Sequence, residues 1–344
     1  MNLASLIREI GRGAHGSRDL AEVDAHVLYR AMLDGEVPDL ELGAILIALR
    51  MKTESLSELC GFHVAAQELI AHLQAPAGAP RPIVIPTYNG ARRQANLTPL
   101  LALALARFGV PVLVHGLVNG NGRVSSAEIF SRLGIQPCDS IEHVQRALET
   151  TRIAFAPTAV LCAGLDALLA RRARLGVRNS AHSVAKLIDP FHGASVRLVS
   201  VSHPAYLEKM RAFLGATVVV AALSDANDVA ENGGRALLSR GTEGEAYANP
   251  KRRRSIEYFD AAGSRNLFDM EETAPHQDLA QLPAAIDAEA TAVWIGAALD
   301  GEAPLPSPLV DQIACCLFAS GHSDDFEQAK AVAGASATRR RVAA

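Results

Sequence analysis

The chain has 344 residues, of which 49% are hydrophobic and 20% are charged, so it has the size and composition of a globular protein with about two domains. Its net charge of −4 argues against a nucleic-acid binder, but such binding depends more on where the charges lie than on their sum. The apolar runs are far shorter than the ~20 residues of a membrane span, and the N-terminus has no apolar signal region. Five scattered cysteines form no metal-binding spacing and predict reduced thiols in a cytoplasmic protein.

Residues 1–74 are predicted to form a helical domain. One helix is expected to end at Leu33, and two more begin after Pro38 and after Ser55. The second helix carries an apolar stripe at helical spacing, formed by Leu42, Ile45 and Leu49. Residues 74–82 have the composition of a linker.

An α/β domain is predicted over residues 81–335, because short buried strands alternate there with helices. The segment 260–283 is polar and is expected to be irregular, and the tail at Arg339-Arg340-Arg341 is expected to be frayed. The predicted strands are 83–85, 110–114, 153–155, 197–201 and 218–222, and the predicted helices are 97–108, 126–133, 204–213, 284–299, 308–320 and 323–334.

Four stretches share their order and spacing with the motifs of a known enzyme family. They are Pro86–Gly90 with Asn96-Leu97-Thr98, His115-Gly116 with the residues to Gly134, Phe155-Ala156-Pro157, and Arg171–Asn179 with Lys186–Pro190. The chain therefore resembles the anthranilate phosphoribosyltransferases (TrpD) of glycosyltransferase family 3. The resemblance implies a small N-terminal helical domain, which a helical segment at about 160–185 is expected to join. It also implies a larger doubly wound α/β domain with a mainly parallel sheet.

Several positions depart from the family pattern. Where the family has two glycines that let backbone N–H groups approach the pyrophosphate of phosphoribosyl pyrophosphate, this chain has Tyr88 and Asn89. The family's Asn and Arg after the His-Gly pair are Leu117 and Val118 here, and its magnesium-binding Asp-Glu pair falls on Ala246 and Tyr247. Glu243 and Glu245 lie nearby, and we interpret them as solvated surface residues, not metal ligands. No catalytic residue, cofactor or metal is therefore predicted.

Positive charge takes the place of the lost groups. On this fold the loops that carry it are expected to converge on the cleft at the strand ends, as a positively charged groove for a phosphate backbone. Tyr88 is predicted to stack on a base beside two arginines. The predicted nucleic-acid-binding residues are Tyr88, Arg92, Arg93, Arg123, Arg171, Arg172, Arg174, Arg178, Lys186, Arg240, Lys251, Arg252, Arg253 and Arg254, and the vestigial substrate residues are Thr87, Asn89, Gly90, Asn96, Thr98, His115 and Gly116.

This replacement pattern resembles that of the TrpD paralogues of the YbiB type, which implies a non-catalytic homodimer that binds DNA or RNA non-specifically. The dimer is expected to pair through the N-terminal helices, on the stripe of Leu42, Ile45 and Leu49 or their neighbours. One alternative is a pentosyl or phosphoribosyl transferase that does not use anthranilate and retains Asn96, Thr98 and His115 for its substrate. Another is an interaction protein whose basic face binds an acidic protein.

Overall fold

The computed structural model describes residues 2–13, 15–120, 122–219, 234–269 and 282–338. It has two compact units, one formed by Met1–His72 with Thr158–Pro190 and the other by Leu73–Pro157 with Phe191–Ala344. None of the described helices is long and apolar enough to cross a membrane.

The first unit is entirely helical in its described residues. Its sequence carries strong local signals, such as the capping box in which Ser55 and Glu58 satisfy each other's backbone N–H groups at the start of a helix. The aromatic rings of Tyr29 and Phe62 stack in its core. The helices are Leu3–Ile10, Glu22–Leu33, Asp39–Lys52, Leu56–Gln67, Thr158–Leu161, Ala163–Ala170, Arg172–Leu175 and Ala181–Val184.

The apolar stripe predicted for the dimer interface lies instead in the core of this unit. Leu42, Ile45 and Leu49 are all buried, so they are not available to a partner. The opposite face of the same helix exposes Leu40 and Met51, whose side chains are 82% and 79% accessible. The three named residues are therefore excluded from an interface, because helical periodicity identifies an apolar stripe but not what covers it, whereas pairing through their neighbours stays a prediction.

The second unit contains a sheet that has seven strands in the described residues, in the order β3-β2-β1-β4-β5-β6-β7. The first five strands pair in parallel, whereas β5, β6 and β7 pair antiparallel. The predicted fold class, a helical bundle with a mainly parallel α/β domain, is therefore confirmed. The strands are β1 (Ile83–Thr87), β2 (Val112–Gly116), β3 (Ile153–Pro157), β4 (Val196–Val201), β5 (Arg235–Arg240), β6 (Ile256–Asp260) and β7 (Gly263–Phe268).

Helices cover this sheet and carry most of the apolar core of the second unit. Residues of β1 and β2 are buried along their whole length, as expected for parallel strands covered on both faces. The helices are Thr98–Arg107, Ser126–Arg132, Ile141–Thr150, Pro204–Leu214, Ala288–Leu299, Ser307–Ser320 and Phe326–Thr338.

Two predicted segments of this unit differ from the structure. Val218, predicted to start a strand, lies in a π-helical turn, Gly215–Val219, that continues the preceding helix, and Ala222 lies outside the described residues. The segment 260–283, predicted to be irregular, includes strand β7. The predicted frayed tail at Arg339–Arg341 lies outside the described residues.

Candidate functional site

The loop that follows β1 holds a buried carboxylate from a distant part of the chain. The backbone N–H groups of Asn89 and Gly90 donate to the same oxygen of Glu245, over 2.8 and 2.7 Å. The Thr98 hydroxyl donates to the other oxygen over 3.4 Å. Glu245 is fully buried. Its carboxylate therefore takes up donors that a bound anion would otherwise occupy.

A second carboxylate accepts from two further N–H groups of this loop. Glu243 accepts from Arg93 N over 2.9 Å and from Arg92 N over 3.3 and 3.4 Å. Unlike Glu245, it is only half-buried. Four backbone donors of the loop, between Asn89 and Arg93, are thus satisfied by two glutamates. The interpretation of these glutamates as solvated surface residues is wrong, because a tertiary contact turns both toward this loop.

A tight turn presents the two glutamates. Thr242 and Glu245 exchange backbone hydrogen bonds of 3.1 and 2.9 Å, and Gly244 has a φ of +91°. The Asn89 amide donates to the Gly244 carbonyl over 2.6 Å, and a Cβ added to Gly244 would lie 2.3 Å from that amide nitrogen. The close approach of the two loops therefore requires glycine at this position.

Tyr88 does not offer a surface on which a base can stack. Its side chain is 3% exposed, and its hydroxyl pairs with Nδ1 of His115 over 2.9 Å. Burial lowers the pKa of His115 to about 3, so the imidazole is neutral near pH 7. Its Nε2 is buried with no hydrogen-bond partner among the residues that the structure describes. The stacking prediction for Tyr88 is wrong because its ring fills the interior beside His115.

The other polar residues retained from the family pattern are bonded to one another. The Asn96 amide donates to Ser126 Oγ over 3.1 Å, and its oxygen accepts from Thr98 N over 3.1 Å. The Thr87 and Ser126 hydroxyls pair over 2.7 Å. Gly116 approaches the Thr87 carbonyl so closely that a Cβ would lie 1.7 Å from it. These contacts make the retained residues part of the packing between the β1 and β2 loops.

The two residues that the resemblance aligned with magnesium ligands lie in the core. Ala246 and Tyr247 are buried, and the Tyr247 hydroxyl donates to the Ala95 carbonyl over 3.0 Å. Burial raises the pKa of the Tyr247 phenol, which keeps it a neutral donor. Over the described ranges no three acidic, histidine or cysteine side chains are grouped so that they can hold a metal ion.

Comparison with known proteins assigns the family. Residues 4–69 match the helical bundle domain of the glycosyl transferase family. The uncharacterized protein YbiB of Escherichia coli K12 is 47% identical to this chain over 324 residues, which span 94% of this chain and 96% of that protein. The chain belongs to the YbiB family of TrpD paralogues.

More distant similarity links this YbiB-family chain to enzymes. Anthranilate phosphoribosyltransferase of Desulfitobacterium hafniense is 29% identical over 195 residues, which is 56% of each chain. Anthranilate phosphoribosyltransferase of Thermus thermophilus shares the fold with a TM-score of 0.73 at 23% identity, over 98% of this chain and 95% of that one. Anthranilate phosphoribosyltransferase of Saccharomyces cerevisiae, in complex with phosphoribosyl pyrophosphate (PRPP) and Mg, shares the fold with a TM-score of 0.70 at 15% identity. The match covers 97% of this chain and 93% of that one.

Within the second unit, the YbiB-family chain brings several predicted cations to the loops at the carboxyl ends of the strands. Ala91 and Val124 exchange backbone hydrogen bonds of 3.0 and 2.9 Å, which places the loop of Arg92 beside that of Arg123. The side chains of Arg92 and Arg93 are exposed. Arg240 ends β5 immediately before the turn that carries the two glutamates.

A second group of cations lies near Arg240. Burial, and then the charges of Arg240 and Arg252, lower the pKa of Arg254. Lys251 is exposed next to them in sequence. Arg253 has a structural role instead, because it pairs with Asp311 over 3.2 Å and covers the ring of Phe268.

The predicted cations between residues 171 and 186 belong to the first unit. Arg171 and Arg174 both pair with Asp39, over 3.3 and 2.8 Å, which partly neutralises them. Burial, and then the charges of Arg178, Arg172 and Lys186, lower the pKa of His182 to about 3. The imidazole of His182 is therefore neutral near pH 7.

Proposed function

We propose that this protein is a non-catalytic TrpD paralogue that binds DNA or RNA non-specifically through the phosphate backbone. The observation that carries the first half of the proposal is the occupation of the β1 loop by Glu243 and Glu245. The resemblance to the enzymes implies that pyrophosphate binds this loop. A carboxylate already bonded to the same N–H groups competes with that substrate and repels its charge.

The second half of the proposal rests on the cations of the strand-end loops. Arg92, Arg93 and Arg123 lie on two loops that are hydrogen-bonded to each other. In three further cations, the charges of Arg240 and Arg252 repel that of Arg254 and contribute to its lowered pKa. A polyanion relieves that repulsion and releases its own counterions, which is the main driving force of non-specific binding to nucleic acid.

We propose further that the protein is a homodimer that pairs through the exposed face of the helix Asp39–Lys52. Leu40, Ala44, Ile47 and Met51 are all exposed on this face. Their spacing of four, three and four residues forms one continuous apolar seam, as in helices that pair. A continuous exposed apolar seam of this kind is typical of a surface that contacts another protein. We also place the protein in the cytoplasm, where its five buried, unpaired cysteines would stay reduced.

The transferase alternative receives less support from the geometry. It requires Asn96, Thr98 and His115 to face a substrate, whereas their side chains bond to Ser126, Glu245 and Tyr88. We expect no phosphoribosyl transfer to anthranilate with Mg²⁺ and millimolar substrates, in protein purified from a host that lacks the enzyme. Turnover above background would restore this alternative. The acidic-protein alternative predicts that no nucleic acid copurifies with the protein, so nuclease treatment would leave the ratio of its absorbance at 260 and 280 nm unchanged.

A salt titration tests the nucleic-acid proposal. If about five phosphates are neutralised, log K for a random duplex should fall against log salt with a slope near −4 to −5. The double variant R92A/R93A should weaken binding and flatten the slope by about two units, because two phosphate contacts are lost. Its thermal midpoint should stay unchanged, because both side chains are exposed.

The matched control is R340A/R341A, which removes two arginines that lie outside the described residues. This variant should bind nearly as tightly as the wild type. A larger effect of the tail pair would assign binding to the C-terminal end. Binding that ignores salt between about 50 and 300 mM would refute the proposal, because counterion release requires a steep dependence.

A further inference from the structure

The two glutamates of the β1 loop differ in how firmly they are held. Glu245 is fully buried and accepts short hydrogen bonds of 2.7 and 2.8 Å. Glu243 is half-buried, and two of its three contacts, both to Arg92 N, measure 3.3 and 3.4 Å. The inner carboxylate is therefore a fixed part of the fold, whereas the outer one lies within reach of solvent and of other anions.

The backbone conformation of Glu243 also favours release of its carboxylate from the loop. Its φ of +54° lies in the left-handed region, which a side chain with a Cβ seldom adopts. The contacts of this turn, including the Glu243 carboxylate itself, hold the residue in that conformation. A loss of the carboxylate contacts lets the residue relax, which offsets part of the cost of breaking them.

The donors that Glu243 covers suit a phosphate group. Two consecutive N–H groups, those of Arg92 and Arg93, point to one oxygen-bearing group, as in the anion-binding concavities formed by successive backbone amides. The two arginine side chains on the same residues are exposed. Charge and directional donors thus coincide at one place on the surface.

We infer that Glu243 is an exchangeable internal competitor, which occupies the N–H groups of Arg92 and Arg93 in the free protein and which a nucleic-acid phosphate displaces. This inference rests on the proposed function and adds to it a phosphate subsite. The Glu243 carboxylate weakens phosphate binding at this subsite because it competes for the same N–H groups. The displaced carboxylate moves into solvent, and no covalent bond is formed or broken.

The variant E243Q tests the inference, because glutamine keeps the shape but loses the charge that competes with phosphate. Its affinity for a labelled random oligonucleotide, measured by fluorescence anisotropy at fixed salt, should rise about fivefold, as expected for one charge near a surface. E302Q is the matched control, since Glu302 is exposed in the same unit and lies in the turn after the helix Ala288–Leu299. It should stay within about twofold of the wild type, as a distant, screened charge does.

Two further variants make the test decisive. E243G removes the carboxylate and suits the left-handed backbone, so it should show the same gain even if E243Q disturbs the turn. R92A/R93A in the E243Q background should remove most of the gain. Wild-type binding without a gain in E243Q and E243G beyond that of E302Q would overturn the inference and leave the nucleic-acid proposal standing. Absence of binding by the wild type and by all variants at low salt would refute both.

Discussion

Removal of Glu245 should destabilise the folded second unit by an amount that can be worked out from the contacts of this residue. In the variant E245A, the N–H groups of Asn89 and Gly90 lose the carboxylate oxygen that accepts from both of them, and they stay buried. Each unsatisfied buried group costs about 1–3 kcal/mol, so a loss of about 3 kcal/mol in the free energy of unfolding is expected. For a unit of this size, that loss lowers the thermal midpoint by about 6–12 °C.

An added anion should restore part of this stability. Inorganic phosphate can accept from the same N–H groups once the carboxylate is gone, and it binds only the folded loop. At a concentration ten times its Kd, such a ligand adds about 1.4 kcal/mol. Thermal unfolding of E245A in phosphate and in chloride, at equal ionic strength, should therefore differ by about 3–6 °C.

The matched control for this rescue is Q312A. Gln312 is buried in the same unit, accepts from Ala248 N over 2.6 Å and donates to Ala246 O over 2.8 Å, so its loss also leaves buried polar groups without a partner. Those groups are a donor and an acceptor, which do not form an anion site. If phosphate stabilises Q312A as much as E245A, or if E245A melts like the wild type, Glu245 does not stand in for a bound anion.

Two other predictions follow from the fold and from His115. Met51→Glu puts a charge into the exposed apolar seam of the helix Asp39–Lys52, so the variant should be a monomer where the wild type is a dimer. Light scattering at micromolar concentration measures the two masses. A monomeric wild type would contradict the proposed dimer. Because burial lowers the pKa of His115 to about 3 while an exposed histidine titrates near ~6.5, the unfolded chain takes up this proton first as the pH falls. The stability that neutral His115 contributes is therefore complete above pH ~6.5 and is lost toward pH ~3. In H115Q the denaturation midpoint should fall less between pH ~7.5 and ~4.5 than in the wild type, and an equal fall would refute this assignment.

The sequence was sufficient to predict the fold where local patterns and tertiary packing agree. The run Ile83–Ile85 is buried on both faces of the sheet, as its continuous apolar character predicts. Strand β5, Arg235–Arg240, was missed because only its central Ala-Leu-Leu is apolar and both of its ends are arginines. Val218 was misassigned because a β-branched run also fits the end of a helix, here a π-helical turn.

From the sequence, only the departures of the candidate site from the family pattern could be predicted. Tyr88 and Asn89 can be recognised as departures from a glycine pattern by comparison within one short stretch. The replacement for the missing ligand lies 155 and 156 residues away along the chain, on a turn whose two glutamates resemble any solvated pair. One local signal was present, since Gly241 precedes these acids and Gly244 lies between them, and such glycines favour a tight turn. The direction in which that turn faces is set by tertiary packing.

This arrangement has a physical reason in the hydrogen bonding of the loop. Backbone N–H groups that face a substrate are satisfied by that substrate or by water, and a loop that closes over them needs another acceptor. Glu245 supplies one from within the chain, which allows Asn89 and Gly90 to be fully enclosed. Enclosure in turn fixes the loop, so that Arg92 and Arg93 extend from a rigid base into solvent. Internal occupation of the old anion site and a basic outer surface are thus two consequences of the same contact, and E245A should weaken nucleic-acid binding as well as stability.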